Sequence, residues 1–379
     1  MILVVVTVEA VTDMGGAAGH MKHPFENVNL TGQDLVDMFD SIVKGDTPTY
    51  EKVDGINLHL TMRGGKAVIA RNKTTAVEPI VPEKLIGMIS NDEAANVMIS
   101  AARELEQLLR DAHIYDLSGE FINFEIMNDF TNRMFKYKPT IVMHSIVTFD
   151  EKGNVKTKEC PNYIRGMIGD GIEFNVRGPN QITYIIDNHR YERYKESLLR
   201  TVPKDVTLNQ IYKERLILHM KEHFNMDVTK AADDILDRWV MRNTSNMVKI
   251  KSNLDPKYSS EFTQIDKKQR YQIMRAIRLH VDLNIFKMGD LLLDDSEGTM
   301  SLTSKDDHRL LAVDVFMECS NKGLLDSSYM DVFAQLPGPP APFEGVVFDW
   351  KDQTYKLTGS FALLNIAYEK TTMGRLPNA

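Results

Sequence analysis

The sequence predicts an α+β fold in which antiparallel sheets are built from both ends of the chain and a large, mostly helical insertion lies between them. Three observations lead to this prediction. Strand-like runs separated by turns extend from Met1 to about Asp150, and helical periodicity dominates from about Asn188 to Leu325. The Pro-rich break "LPGPPAPF" then precedes two short strand-like runs, "EGVVFDW" and "TYKLTG". We expect these last strands to complete the sheet that the first strands begin.

Composition and charge set the first limits on function. The chain has 379 residues, of which 43% are hydrophobic and 26% charged, so it can bury a sizeable core in one large or two ordinary domains. Its formal net charge of -8 argues against a protein that coats nucleic acid non-specifically, although a local basic groove is compatible with it. The two cysteines, Cys160 and Cys319, form no CxxC pair, which argues against a disulfide framework or a thiolate zinc site and favours a reducing, intracellular compartment.

The first elements are a strand, a glycine-rich segment and a helix. "MILVVVTVEA" is apolar, but it lacks a basic flank and is too short to span a bilayer, which indicates a buried strand. The glycine-rich segment "DMGGAAGHMKHPFENVN" follows. In "LTGQDLVDMFDSIVKG", Thr31 with Asp34 three residues later predicts the start of a helix, and Gly45 predicts its end.

The next elements are a hairpin, a helix and two strands. "INLHLTMR" and "KAVIARN" alternate in polarity and meet at Gly64 and Gly65, which predicts a β-hairpin. A helix in "NDEAANVMISAARELEQLLRDAH" leads to the strands "GEFINFEIMN" and "TIVMHSIVTF". The helical insertion includes "TLNQIYKERLILHMKEHF", "DKKQRYQIMRAIRLHVDLNIFKMGDLLL" and "DDHRLLAVDVFMECSNKG".

The stretch "TPTYEKVDGINLHL" places Lys52 inside a strand-like run. A lysine amine is protonated at its ordinary pKa of about 10.4, so a nucleophilic lysine needs desolvation or nearby positive charge. An apolar strand supplies the desolvation, and a metal-bound triphosphate would supply the positive charge. Asp54 and Gly55 let the chain turn closely around a ligand. The alternative interpretation is an exposed lysine at the start of a strand.

Five stretches follow one another along the chain: "EKVDGIN", "VIARNK", "FINFEIMN", "EGVVFDW" and "TYKLTG". In this order they resemble motifs I, Ia, III, IV and V of the covalent nucleotidyltransferase superfamily of ATP-dependent DNA ligases, RNA ligases and mRNA capping enzymes. In that family a KxDG lysine attacks the α-phosphorus of ATP or GTP. The form from Glu51 to Asn57 is closest to phage-type RNA ligases. The resemblance covers roughly residues 47–150 and 343–365, and KxDG alone would be a weak match, whereas the ordered set is specific.

The resemblance implies a fold and a division of the chain. It implies a nucleotidyltransferase (ATP-grasp-like ligase adenylation) domain of antiparallel sheets with helices, formed by residues 1–187 and 326–379. The helical insertion, residues 188–325, is a candidate nucleic-acid-binding subdomain. Few residues follow "TYKLTG", so we expect no C-terminal OB domain of the kind that DNA ligases and capping enzymes carry.

By resemblance, each motif contributes a residue to nucleotide transfer. Lys52 is the nucleophile that becomes lysyl-AMP, Lys356 contacts the α-phosphate, and Glu344 binds the catalytic Mg²⁺ or Mn²⁺. Arg71 and Glu125 hold the ribose hydroxyls, and Lys52, Lys356 and Arg71 form the catalytic set. The residues expected to bind ATP are Glu51, Asp54, Gly55, Asn57, Arg71, Glu125, His144 and Lys356. These residue types suit a reaction that needs a nucleophile, cations around the phosphates and a divalent metal held by oxygen ligands.

The base and ribose contacts carry alternatives. Glu51, next to the nucleophile, is expected to accept a hydrogen bond from the adenine amino group. His144 occupies about the place where the family stacks an aromatic residue on the base, and the alternative is a histidine satisfied within the core. Glu120 competes with Glu125 for the ribose role, and we prefer Glu125 because its spacing along the chain fits the family better.

Motif V departs from the family pattern. Ligases usually carry two lysines separated by one residue, whereas Thr354 and Thr358 flank Lys356 here. Candidates for the second phosphate cation are Lys351, Lys73 and the helical insertion.

Together these features predict an ATP-dependent polynucleotide ligase in the cytoplasm, or the host cytoplasm if the chain is phage-encoded. It would pass AMP from Lys52 to a 5′-phosphate end and seal that end to a 3′-hydroxyl, with RNA favoured over DNA and no membrane or protein partner evident. Two alternatives remain open: a nucleotidyltransferase with another acceptor (a protein, a small molecule or an RNA cap), and a ligase-like protein that binds nucleotide or nucleic acid without chemistry. The basic residues of the insertion that would hold the polynucleotide are Arg190, Arg193, Lys195, Lys267, Lys268, Arg270 and Arg275.

Overall fold

A computed structural model describes residues 21–53, 55–89, 91–128, 138–151, 155–158, 169–170, 173–239, 247–294, 296–297, 344–351 and 353–359. The strand predicted in "MILVVVTVEA", the helix predicted in "DDHRLLAVDVFMECSNKG" and the Pro-rich break lie outside these residues. The described part is an α+β structure with one antiparallel and one mixed sheet. The α+β prediction is confirmed, and the nucleotidyltransferase fold stays a prediction.

The strands fall into two sheets. In chain order the described strands are β1 (Thr49–Lys52), β2 (Ile56–Arg63), β3 (Lys66–Ala70), β4 (Phe121–Met127), β5 (Thr140–Phe149), β6 (Val155–Lys158), β7 (Gly169–Asp170), β8 (Asn175–Arg177), β9 (Gln181–Tyr184), β10 (Ser296–Glu297), β11 (Gly345–Trp350) and β12 (Gln353–Leu357). The five-stranded sheet has the order β10-β9-β1-β11-β12, and its neighbours are antiparallel. Lys52 lies opposite Gly345 in the pairing of β1 with β11. The last two strands pair with β1, as expected, but the strands of the predicted hairpin and the strands β4 and β5 lie in the other sheet, so the expected completion of the first sheet is confirmed only for β1.

The helices cover both sheets. The described α-helices are α1 (Gly32–Val43), α2 (Lys73–Val77), α3 (Asp92–Asp111), α4 (Asn188–Thr201), α5 (Leu208–Phe224), α6 (Ala232–Trp239), α7 (Met247–Asn253), α8 (Ser259–Gln264) and α9 (Lys267–Asp294). α1 begins as predicted, because the Asp34 amide donates to the Thr31 hydroxyl at 3.1 Å and the Thr31 amide donates to Asp34 Oδ2 at 2.9 Å. Gly45 follows its end with φ +78°. None of the described helices is long and apolar enough to cross a membrane.

The helical segment packs, together with α1, on one face of the five-stranded sheet. β9 leads into α4, and β10, which follows α9, pairs antiparallel with β9, so the segment leaves and re-enters the sheet at neighbouring strands. Phe348 and Tyr355 of the sheet share one buried core with Phe39 of α1 and Tyr212 of α5. The limits of the two domains stay a prediction from the sequence.

The second sheet has seven strands in the order β3-β2-β4-β5-β8-β7, with β6 on β5 and a parallel pair, β5 with β8. Gly64 and Gly65 have φ +56° and +76° in the turn between β2 and β3, which confirms the predicted hairpin. Leu58 and Phe124 lie in the core that covers one face together with α3. Because side chains alternate along a strand, the neighbouring Asn57 lies on the opposite, polar face.

Candidate active site

Lys52 is the last residue of β1, and the strand register places it beside the start of β11. Its ammonium group forms an ion pair with Glu344 and lies 3.4 Å from the carbonyl oxygen of Val53. The Glu344 amide donates to the Lys52 carbonyl oxygen at 3.0 Å, so the backbone holds the two side chains side by side. Only 14% of the Lys52 side chain and 13% of the Glu344 side chain are exposed. The alternative interpretation of Lys52 as an exposed lysine is therefore wrong.

Lys356 lies on β12, on the same face of the sheet as Lys52. Val347 of the intervening β11 lies opposite Lys356, two residues after the partner of Lys52. Burial and the positive charge of Lys52 lower the pKa of Lys356 to about 8, while the charges of Glu344 and Glu26 act in the opposite direction. Two amines and a carboxylate from three separate segments thus share a poorly solvated space.

The structure separates Lys351 from this group. Lys351 lies in the turn between β11 and β12, at the far end of the hairpin, with φ +46°. Its Nζ lies 2.7 Å from Asp34 Oδ1, at the start of α1. It does not supply a second cation beside Lys356. The side chain of Lys73, the other single-residue candidate, and all of Asp54 lie outside the described residues.

Glu125 connects the KxDG segment to the second sheet. Its Oε1 accepts a hydrogen bond from the Gly55 amide at 2.9 Å, and its Oε2 lies 3.2 Å from His144 Nε2. Burial alone would raise the pKa of Glu125, but the hydrogen bond with His144 and the positive charge of Lys52 hold this pKa below its ordinary value. Glu120 lies before β4, at the other end of the strand, so the geometry places Glu125 and not Glu120 on the side of Lys52.

A β-bulge accounts for the position of His144. Consecutive residues of β4, Asn123 and Phe124, lie opposite Ser145 and Met143, so His144 is the extra residue of β5. A bulge changes the direction of the side chain at that point. The edge of the imidazole thereby reaches the carboxylate on β4, while its proposed stacking on a base stays a prediction.

The other predicted nucleotide contacts lie on or next to the polar face of the second sheet. Asn57 Nδ2 donates to Asn123 Oδ1 at 2.7 Å, and Asn57 Oδ1 is buried without a hydrogen-bond partner in the described part of the chain. Arg71 follows β3, and burial lowers its pKa. Burial lowers the pKa of His59 to about 4, and the charges of Arg71 and His144 act on it in the same direction. The side chains of Arg71 and His144 therefore both lie close to the buried imidazole of His59.

Glu51 is buried at the junction of the two sheets. Its Oε1 accepts hydrogen bonds from Arg177 Nη1 and from the Asn180 amide, the latter at 3.0 Å. Arg177 ends β8 of the seven-stranded sheet, whereas Asn180 precedes β9 of the five-stranded sheet. Glu51 Oε2 is buried and has no hydrogen-bond partner among the described residues. No pattern in "NVRGPN" points to Arg177 or Asn180, and only the pairing of β9 with β1 reveals them.

Glu344, the residue expected to bind the catalytic metal, supplies a single carboxylate beside Lys52. Within the ranges that the structure describes, no group of three or more His, Cys, Asp or Glu side chains could hold a metal ion. Mg²⁺ is commonly bound by one or two carboxylates together with substrate phosphates. Glu344, a carboxylate in contact with Lys52, has the donor chemistry for that arrangement.

Four of the seven basic residues expected to hold a polynucleotide interact with identified groups of the protein. Lys195 forms an ion pair at 3.0 Å with a carboxylate of α1, and the charge of Arg275 acts on a buried carboxylate of its own helix. The guanidinium groups of Arg190 and Arg193 lie 5.8 and 5.6 Å from the ring centroid of Tyr194 on α4. Two cations and one aromatic ring thus form a small cluster at this helix.

The convergence of distant residues is the main guide to function. Three side chains from other stretches of the sequence, in two sheets, interact with the Lys52 amine. Glu344 forms an ion pair with it, and the positive charge of the amine lowers the pKa values of Lys356 and Glu125. Comparisons of the chain with protein-family models, with curated proteins and with solved structures found no match.

Proposed function

We propose that the protein is an ATP-dependent polynucleotide ligase with a nucleotidyltransferase fold, which acts through AMP bound covalently to Lys52 and favours RNA. One observation carries the proposal. Side chains from the stretches that resemble motifs I, III, IV and V surround a single amine, although they are far apart in sequence. A nucleophile with a carboxylate and a second cation beside it is what nucleotidyl transfer requires.

In the first step Lys52 takes up AMP. Its ammonium group loses a proton, the neutral nitrogen forms a bond to the α-phosphorus of ATP, the bond to pyrophosphate breaks, and a second proton leaves the nitrogen. The positive charge of Lys52 contributes to the lowered pKa of Lys356, the second amine of the site. Lys356, when charged, offsets negative charge on the α-phosphate. A magnesium ion held by Glu344 would supply further neutralisation of the phosphates.

Two later steps would join the ends. An oxygen of the RNA 5′-phosphate attacks the α-phosphorus carried by Lys52, the phosphorus–nitrogen bond breaks, and the amine takes up a proton. The 3′-hydroxyl then loses its proton and attacks the 5′-phosphate, and AMP leaves. The cluster of Arg190, Arg193 and Tyr194 suits a single strand, because cations follow the backbone and aromatic rings stack on bases.

Incubation with ATP labelled at the α-phosphate and Mg²⁺, followed by RNA with 5′-phosphate and 3′-hydroxyl ends, tests the proposal. We expect the protein to become labelled and then to seal the RNA. Lys52→Ala should abolish both reactions. Lys213→Ala is the matched control, because it removes another ion-paired lysine far along the chain, on α5, and should leave both unchanged. Labelling that survives in Lys52→Ala would exclude Lys52 as the nucleophile.

A second candidate is a nucleotidyltransferase that loads AMP onto another acceptor. The partners of Lys195 and Arg275 favour it, because two of the residues expected to bind the polynucleotide interact with carboxylates of the protein itself. In that case the protein would become labelled, but the label would not move to RNA or DNA ends.

A further inference from the structure

We propose that Gly289 and Asp290 of α9 position Lys356, because they fix the end of β12 from the face of the sheet opposite to the site. The helical segment then serves the transfer of AMP to Lys52 as well as the binding of RNA. This inference rests on the proposed function, since it requires Lys356 to act on a nucleotide beside Lys52. Gly289 and Asp290 are positioning residues, because they act through β12 and do not touch the reacting atoms.

α9 lies against the face of β12 that does not carry Lys356. The helix contacts both β11 and β12, and Leu357 is fully buried in the same core as Met288 and Leu292 of α9. Because side chains alternate along a strand, Lys356 projects from the opposite face, which it shares with Lys52. The helix thus supports the backbone of the strand that holds the second amine of the site.

Glycines form this contact on both sides. A Cβ at Gly289 would lie 2.9 Å from the Cα and the amide nitrogen of Gly359, and 3.1 Å from Leu357 Cγ. Glycine is among the least favourable residues within a helix, so its presence in α9 indicates that the packing requires it. Gly359 has φ +53°, and a Cβ there would collide with Asp290 Oδ1. The spacing between helix and strand therefore leaves no room for a methyl group on either side.

The start of β11 reaches the same point. Gly345 follows Glu344 and lies opposite Lys52 in the pairing of β1 with β11. A Cβ on Gly345 would collide with the carbonyl oxygen of Leu357 and would lie 2.8 Å from Thr358 Cα. The end of β12 is thus enclosed by α9 and by the strand position opposite the proposed nucleophile.

Asp290 adds a buried carboxylate to the contact. The residue is 0% exposed, and its Oδ1 lies against Gly359. A buried carboxylate is normally held by hydrogen bonds or charges, because desolvating it without them is costly. α9 therefore opposes a movement of the strand end with a carboxylate as well as with its backbone.

Labelling by ATP in the absence of RNA tests the proposal, because RNA binding plays no part in that step. The rate constant and the amplitude of a single round of adduct formation are measured at saturating ATP. We expect Gly289→Ala to react roughly 10- to 100-fold more slowly, as for a displacement of about 1 Å, with full amplitude and unchanged ATP affinity. Alanine favours a helix more than glycine does, so a weaker helix would not explain this loss. Lys287→Ala, which shortens a partly exposed side chain of the same helix, is the matched control and should react at the wild-type rate.

A merely structural role would lower the amplitude, because part of the protein would be unfolded, and would leave the rate constant unchanged. That result overturns the proposal, and so does a wild-type rate with full amplitude. If Gly289→Ala does not fold, Asp290→Asn decides the question, because it keeps the size of the side chain and removes its charge. We expect a lower rate constant at full amplitude, and a wild-type rate constant overturns the proposal. A wild type that forms no adduct would sink the proposed function, whereas an adduct that forms equally fast in the wild type and the variant would sink this inference alone.

Discussion

Replacing Lys356 with methionine should stabilise the protein while it removes the proposed activity. Burial and the neighbouring charge of Lys52 lower the pKa of Lys356 from 10.5 to about 8. Below pH 8 this lysine is protonated in both the folded and the unfolded state, so the full cost of the buried charge is present. Between pH 8 and pH 10.5 the unfolded chain binds more protons than the folded one, so the free energy of unfolding rises with pH and the cost disappears. Each pKa unit is worth about 1.4 kcal/mol, which gives a cost of about 3 kcal/mol at pH 7 and about 1.4 kcal/mol at pH 9.5.

Urea unfolding of the wild type and of Lys356→Met at these two pH values measures the effect. We expect the free energy of unfolding of Lys356→Met to exceed that of the wild type by up to about 3 kcal/mol at pH 7 and by about half as much at pH 9.5, because methionine fills a similar space without a charge. Lys351→Met is the matched control, since that lysine is 64% exposed and ion-paired with Asp34, and it should give no gain at either pH. A loss of stability in Lys356→Met at pH 7, or a gain that is independent of pH, would refute the reasoning from a buried charge.

Three further predictions concern the nucleotide site and the helical insertion. Gly55→Ala should abolish labelling, because the added Cβ would lie 2.6 Å from a backbone carbonyl oxygen of β4. Gly178→Ala is the control, because its Cβ would meet nothing within 4 Å and the variant should label normally. Equal labelling of the two variants would contradict the tight fit at Gly55. Glu344→Gln should lose Mg²⁺-dependent labelling, since an amide is a weaker ligand for a hard cation, and a magnesium titration that matches the wild type would remove Glu344 from the metal site. Replacing Arg190 and Arg193 with alanine should spare labelling but weaken RNA sealing and reduce its salt slope by about 1.4, which is about 0.7 for each cation on a single strand. An unchanged slope would exclude this cluster from RNA binding.

Local patterns predicted the elements well, because each depends on residues close together in sequence. The capping pair Thr31 and Asp34 fixed the start of α1, and Gly64 with Gly65 fixed the hairpin turn, as the structure confirms. The sequence also predicted that the last two strands share a sheet with an early strand, because they follow the helical segment as strand-like runs; that the early strand is β1 comes from the structure.

The geometry of the site was less predictable, because it depends on strand register and on contacts between distant residues. The bulge at His144 appears only when the register of β4 and β5 is known, and it makes this residue a partner of Glu125. The ion pair of Glu51 with Arg177 joins residues more than a hundred positions apart, at a junction of two sheets that no local pattern marks. Lys351 was a reasonable candidate for a phosphate cation on spacing alone, but the hairpin carries it to the opposite end of the strands.

The most direct test of the central claim is to identify the residue that carries AMP. The wild-type protein is incubated with ATP and Mg²⁺ and digested without acid, and the peptides are mapped by mass spectrometry. We predict AMP on Lys52 through a phosphorus–nitrogen bond that acid cleaves, and none on Lys356. A protein that binds ATP but carries no AMP under these conditions, or that carries it on Lys356 or another lysine, would contradict the claim that Lys52 is the nucleophile of a nucleotidyltransferase.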